Sequence, residues 1–110
     1  MTDIIKIGDK DVGMTATGSS PTLYKQFFHR DFLVESQKTP VDAGVITDMG
    51  FIMAMQYEVG SLETSKKTLV DYYKWNDQFS PMDLLGAGGD ILNLWVKQAE
   101  TTSSPKPGAA

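Results

Sequence analysis

The sequence predicts a mainly helical single domain of the α+β kind: an N-terminal β-hairpin, about four helices and a disordered C-terminal tail. Three observations predict it. Apolar residues alternate in the first segment and recur at helical intervals afterwards. Serine–proline and threonine–proline pairs stand where the helical pattern begins. From Glu100 onward the chain reads Thr-Thr-Ser-Ser-Pro-Lys-Pro-Gly-Ala-Ala, which offers nothing apolar to bury. The length of 110 residues suits one domain, placed at 1–99, with the hairpin at 3–17, helices over 20–98 and the tail at 100–110.

In the hairpin, Ile5 and Ile7, then Val12, Met14 and Ala16, share one face, and Gly8-Asp9-Lys10-Asp11 forms the turn between them. A lone hairpin is marginal in water, so that face must rest on the helices. Ser20-Pro21 opens the first helix, with Ser20 as the capping hydroxyl. Leu23, Tyr24, Phe27, Phe28 and Phe32 fall on its apolar side, and Lys25, Gln26, His29 and Arg30 on its polar side.

Thr39-Pro40-Val41-Asp42 caps a second helix running to about Tyr57 and closed by Val59-Gly60-Ser61. Its stretch Met49-Gly50-Phe51-Ile52-Met53-Ala54-Met55 is apolar nearly all round. Such a helix lies at the centre of a core or is covered by another chain. Thr68 and Asp71, at capping-box spacing, begin a third helix carrying Leu69, Tyr72, Tyr73 and Trp75. Ser80-Pro81 begins a fourth, carrying Leu84, Leu85, Ile91, Leu92 and Trp95. Glycines at 86, 88 and 89 weaken its middle, each costing about 1 kcal/mol against alanine. The preferred reading is one continuous helix, with a kink or break at the glycines as the alternative.

Composition narrows the function classes. There are no cysteines, which excludes disulfides and thiolate metal sites. The formal charge of −4 disfavours nucleic acid as a partner. No apolar run approaches the roughly 20 residues of a membrane span, and the N-terminus lacks a signal-peptide layout. A soluble, cytoplasmic protein without cofactors is the expectation.

Catalytic readings find little support. His29-Arg30-Asp31 resembles a kinase catalytic loop only in those three residues, since Ser36 stands where that loop needs asparagine. Gly86-Ala87-Gly88-Gly89 has neither the preceding strand nor the lysine of a phosphate cradle. Asp9-Lys10-Asp11 lacks the further ligands of a calcium loop. His29 is the only histidine, so a two-histidine metal site is excluded. The chain is expected not to be an enzyme.

Three stretches together point to a family. Ala16 to Pro21 leads into Tyr24-Lys25 and then Phe28-His29-Arg30-Asp31. Trp75-Asn76-Asp77-Gln78-Phe79 follows, and Ile91-Leu92-Asn93-Leu94-Trp95 closes the last helix before the Thr/Ser/Pro/Lys tail. In this order they resemble the small tail assembly chaperones of long-tailed bacteriophages and prophages. That family's pattern is a small-residue turn, Tyr-Arg, Phe-Gly-Arg-Asp, Trp-Leu-Asp-x-Phe and a terminal Leu-Trp. The motif residues here are Tyr24, Lys25, Phe28, Arg30, Asp31, Trp75, Phe79 and Trp95. His29 departs from the family's glycine, Lys25 from its arginine and Asn76 from its leucine.

The resemblance implies a non-catalytic role in the host cytoplasm. Such a protein binds the long helical tape measure protein, helps recruit tail-tube protein and is absent from the mature virion. Many relatives also exist in a longer form made by programmed frameshift, with which the tail is compatible. A minor tail or connector subunit retained in the virion, or a helical adaptor unrelated to phage, are the alternatives. The Met-rich helix supplies the candidate partner surface, at Met49, Phe51, Met53 and Met55. Core filling is the competing use of the same residues. Self-association is expected if one small domain leaves that helix partly uncovered. Arg30 and Asp31 are expected to pair within the fold, and Trp75, Phe79 and Trp95 to join the last two helices.

Overall fold

The computed structural model describes residues 1–103, and the side chains of residues 1–99. Strands β1 (Thr2–Ile7) and β2 (Lys10–Thr15) pair antiparallel, with Ile5 opposite Val12 and Lys6 opposite Asp11. Gly8, at φ +64, provides the left-handed residue the turn requires. Ile5, Ile7, Met14 and Ala16 are buried, while Lys6 and Asp11 pair on the exposed face at 3.2 Å. The alternation read from the sequence is therefore the alternation of the sheet.

Helices α1 (Ser20–Phe28), α2 (Phe32–Glu35), α3 (Ala43–Thr64), α4 (Leu69–Asn76), α5 (Pro81–Gly86) and α6 (Gly88–Ser103) follow. Of these, α3 is the hub. It packs on β2, α1 and α6 and touches α2, α4 and α5 as well. Met49, Phe51, Ile52, Met53, Ala54 and Met55 are all buried along it. Gly50 permits the close passage of α6, because a Cβ there would lie 2.9 Å from Ile91 Cδ1.

Several boundaries differ from the sequence reading, each for a local reason. The first helix stops at Phe28, because His29 adopts left-handed backbone (φ 58, ψ 35) and its N–H bonds to Lys25 O at 2.9 Å. Phe32 then belongs to α2, which Asp31 caps by accepting from the Leu33 and Val34 N–H groups at 2.9 and 3.4 Å. Asp42, rather than Thr39, caps α3, accepting from Gly44 N–H at 2.7 Å.

Gly60 (φ 82, ψ 173) interrupts α3 where the sequence places its end, but helical backbone resumes to Thr64. The Thr64 hydroxyl donates to Gly60 O at 2.6 Å across that kink. Asp71 accepts from the Thr68 N–H at 2.9 Å at the start of α4. Ser80 caps α5 by accepting from Asp83 N–H at 3.2 Å. The expected continuous fourth helix is instead two, α5 and α6, broken at Ala87. Gly86 has no side chain to hold the turn, and the buried Ala87 divides its N–H between the Asp83 and Leu84 carbonyls, both at 3.2 Å. Backbone of α6 reaches Ser103, past Glu100, where the sequence places the start of the tail; residues 104–110 of that tail lie outside the described residues.

Ser20 is not the cap of α1, as the sequence reading has it: it is the helix's first residue, and Ser19 holds the cap position without a side-chain hydrogen bond. The Ser20 hydroxyl is fully buried, accepts from Thr17 N–H at 3.0 Å and donates to Gln56 Oε1 at 2.6 Å. Gln56 Nε2 donates in turn to Thr17 Oγ1 at 2.9 Å and Ser61 Oγ at 3.1 Å. This satisfied cluster lets a buried amide sit on the apolar hub without an unpaired group. Among the described residues, no helix is long and apolar enough to cross a membrane.

Candidate functional site

The break between α1 and α2 sets the geometry of the motif residues. A continuous α1 would carry Arg30 out on the polar face. The left-handed turn at His29 instead folds Arg30 back over the Tyr24 and Phe28 rings, 5.5 and 5.6 Å from their centroids. Its Nη2 donates to Asp48 Oδ2 on α3 at 2.7 Å. The other oxygen, Asp48 Oδ1, accepts from the Tyr72 hydroxyl of α4 at 2.5 Å. One carboxylate thus ties three elements, and Arg30 pairs within the fold as expected, through Asp48, while Asp31 caps α2.

Electrostatics follow from burial. Desolvation raises the Asp48 pKa above the usual carboxylate value, and the hydrogen bonds from Tyr72 and Arg30 oppose that rise. Burial, then the hydrogen bond to Asp48, pushes the Tyr72 phenol up to about 12. Burial also drives the Tyr24 phenol well above its ordinary value, so it stays neutral; its hydroxyl makes no hydrogen bond among the described residues. Nothing in this arrangement presents a nucleophile or a poised acid–base pair to an open cavity.

Around the ion pair the aromatics form one network. Trp95 meets Phe32 at 5.2 Å, Phe32 meets Tyr24 at 5.2 Å, and Tyr24 meets Phe28 at 4.9 Å. Phe28 reaches Tyr72 at 5.3 Å, Tyr72 reaches Phe51 at 5.3 Å, and Phe51 reaches Trp75, which closes on Phe79 at 5.1 Å. Tyr24, Phe28, Arg30, Trp75, Phe79 and Trp95 therefore belong to a single connected cluster. Trp95 joins α6 to α2, not to Trp75, so the expected clasp between the last two helices is replaced by separate anchors. Lys25 stays exposed on α1.

Met49, Phe51 and Met53 are 0% exposed and Met55 is 6% exposed. The hairpin covers one side of α3, and α1 and α6 cover others. The expectation that these four offer a partner surface is corrected: they are the core of the protomer itself, and they give no reason for self-association. Asp48, Tyr72 and Gln56 are the residues sequence reasoning missed. A lone carboxylate inside the run Val45 to Met55 was the available signal.

No protein-family model, curated protein or solved structure matches this chain.

The turn at His29 carries a prediction. A non-glycine residue in left-handed backbone is strained by about 1 kcal/mol, and glycine is the usual residue at such a helix end. His29→Gly is expected to raise the unfolding free energy by about 0.5–1 kcal/mol, partly offset by the freer unfolded chain. Urea denaturation with an unchanged slope checks it.

Proposed function

We propose that the chain is a non-catalytic phage tail assembly chaperone. It binds the tape measure protein in the host cytoplasm, helps recruit tail-tube protein and leaves before the virion is complete. The observation that carries the reading is the convergence of the motif residues. Of the eight motif residues, six meet in one aromatic and ionic cluster, and a seventh, Asp31, caps the helix beside it. The left-handed position at His29 also falls where the family pattern has glycine, the residue such backbone favours.

The reading expects a tape-measure gene just downstream of this one, and the test is co-expression with its product. Soluble recovery of that protein only when this chain is present supports the role, as does the chain's absence from purified particles by mass spectrometry. A client equally soluble alone, or this chain found stoichiometrically in virions, overturns it.

A further inference from the structure

Residues 61–79, from the last turn of α3 through α4 to Phe79, form a unit of their own. Their turn and cap hydrogen bonds, from Ser65 N–H to Phe79 N–H, all close within the segment, as does the Glu63–Lys66 ion pair. Only Thr64 and Trp75 in it are buried, and Leu69, Val70 and Tyr73 of α4 face solvent. A few side chains join it to the body. Tyr72 meets the Phe27, Phe28 and Phe51 rings, Trp75 meets Phe51, the Tyr72 hydroxyl donates to Asp48, and Ser61 Oγ accepts from Gln56. Sparse burial and internally closed bonding mark a segment that opens below global unfolding.

The two ends of the segment are built to turn together. Gly60 (φ 82, ψ 173) holds backbone that glycine alone adopts readily, with nothing within 4 Å of where a Cβ would lie. Ser80, extended at φ −73 and ψ 154, stands at the other end. These ends are neighbours in space. Tyr57 and Glu58, just before the segment, and Gln78 and Phe79, at its close, line one groove of about 220 Å³ beside β2. A second groove, of about 180 Å³, lies between Thr64, Ser65 and Lys67 and the α1 residues Leu23, Gln26 and Phe27. The seam with the body is thus open on two sides, and rotation at Gly60 and Ser80 would swing the segment out whole.

Such a swing would uncover a specific surface. Phe27, Phe28 and Phe51 would lose their cover, and Asp48, still paired with Arg30, would lose the Tyr72 hydroxyl. The seat fits the side chains that leave it: two aromatics about one helical turn apart, the first with a hydroxyl to donate. The α4 of a second copy carries the same pair, but Gly60 and Ser80 tether both its ends to its own body.

We propose that residues 61–79 are a displaceable flap, and that the seat beneath it binds a partner helix carrying a tyrosine and a second aromatic at i and i+3. Flap and partner helix compete for the same three rings and for Asp48. These residues set the chemistry of the seat independently of the phage reading.

A fluorescein-labelled peptide of residues 61–79 stands in for the partner helix and is titrated with the full chain by fluorescence anisotropy. It should bind wild type, and bind Tyr72→Phe about tenfold more tightly, since that flap lacks the hydroxyl while the peptide keeps it. Gly60→Ala leaves the seat intact and penalises the closed backbone, so it should also tighten binding several-fold. A peptide carrying Tyr72→Ser and Trp75→Ser should not bind. By hydrogen exchange of wild type, the amides from Tyr72 to Asp77 should exchange as one group, about tenfold or more faster than those from Met49 to Met55.

Circular dichroism and thermal melts check that each variant is folded, and the serine peptide and the exchange measurement need wild type alone. The proposal is overturned by no binding of the peptide, by equal binding of its serine form, or by folded variants that bind no tighter than wild type. Exchange of α4 as slow as that of α3 overturns it too. A dimer that Gly60→Ala strengthens and the peptide dissolves overturns it in favour of a flap exchanged between two copies.

Discussion

Phe51→Ala is expected to destabilise the fold by about 3–5 kcal/mol, the range for deleting a fully buried aromatic ring and leaving a cavity. Phe51 is 0% exposed and lies at the junction of the network, with ring contacts to Phe27 at 5.3 Å, Tyr72 at 5.3 Å and Trp75 at 5.8 Å. These neighbours come from α1 and α4, so the cavity opens between three helices and relaxation of one cannot fill it. Because α4 rests on α3 through Tyr72 and Trp75, its attachment loosens first. A lower urea midpoint with an unchanged slope reports the loss, and a red shift of tryptophan emission in the native baseline reports the loosening at Trp75. A polar side chain at Met53 or Met55 meets the same core and harms folding too. Neither position can serve as a fold-neutral probe of partner binding.

What was legible in the sequence was what depends on period and local capping. The hairpin followed from alternation at Ile5, Ile7, Val12 and Met14, since a strand's two faces repeat every second residue. Ser80-Pro81 and the Thr68–Asp71 spacing marked helix starts because the capping partners lie within four residues. The helix break at His29 was not legible from the residue itself, because glycine, and less often asparagine, is what marks left-handed backbone in a sequence; the glycine of the family pattern at that position was the one pointer. That one turn then hid the site: it redirects Arg30 from the polar face of α1 to a carboxylate 18 residues away. Gln56 was concealed for a similar reason. Its partners Thr17 and Ser20 lie where β2 leads into α1 and become its neighbours only when that segment docks on α3. The run Met49 to Met55 is apolar throughout, but burial by the same chain and burial by a partner leave the same pattern.

Asp48→Ala is the second large effect, expected at about 2–3 kcal/mol. Removing one partner of a desolvated ion pair costs about 3–5 kcal/mol when the remaining charge is fully buried. Here the Arg30 side chain is 38% exposed and regains some water, which places the loss lower; the Asp48 side chain is only 13% exposed. The Tyr72 hydroxyl also loses its acceptor. Asp48→Asn keeps one acceptor oxygen and should lose less. The two variants also separate charge from hydrogen bonding through pH. The folded pKa of Asp48 is raised by burial, so the folded state holds the proton more tightly than the unfolded chain does. That contribution is complete below the ordinary aspartate value of about 3.9 and is lost as pH rises through the raised folded value. Acidification from neutral pH should therefore widen the stability gap between wild type and Asp48→Asn in favour of wild type. Urea unfolding of both proteins at neutral pH and at about pH 4 measures it. A gap that narrows on acidification would mean that the Arg30 and Tyr72 contacts outweigh the desolvation of Asp48, and that the carboxylate is held for its charge.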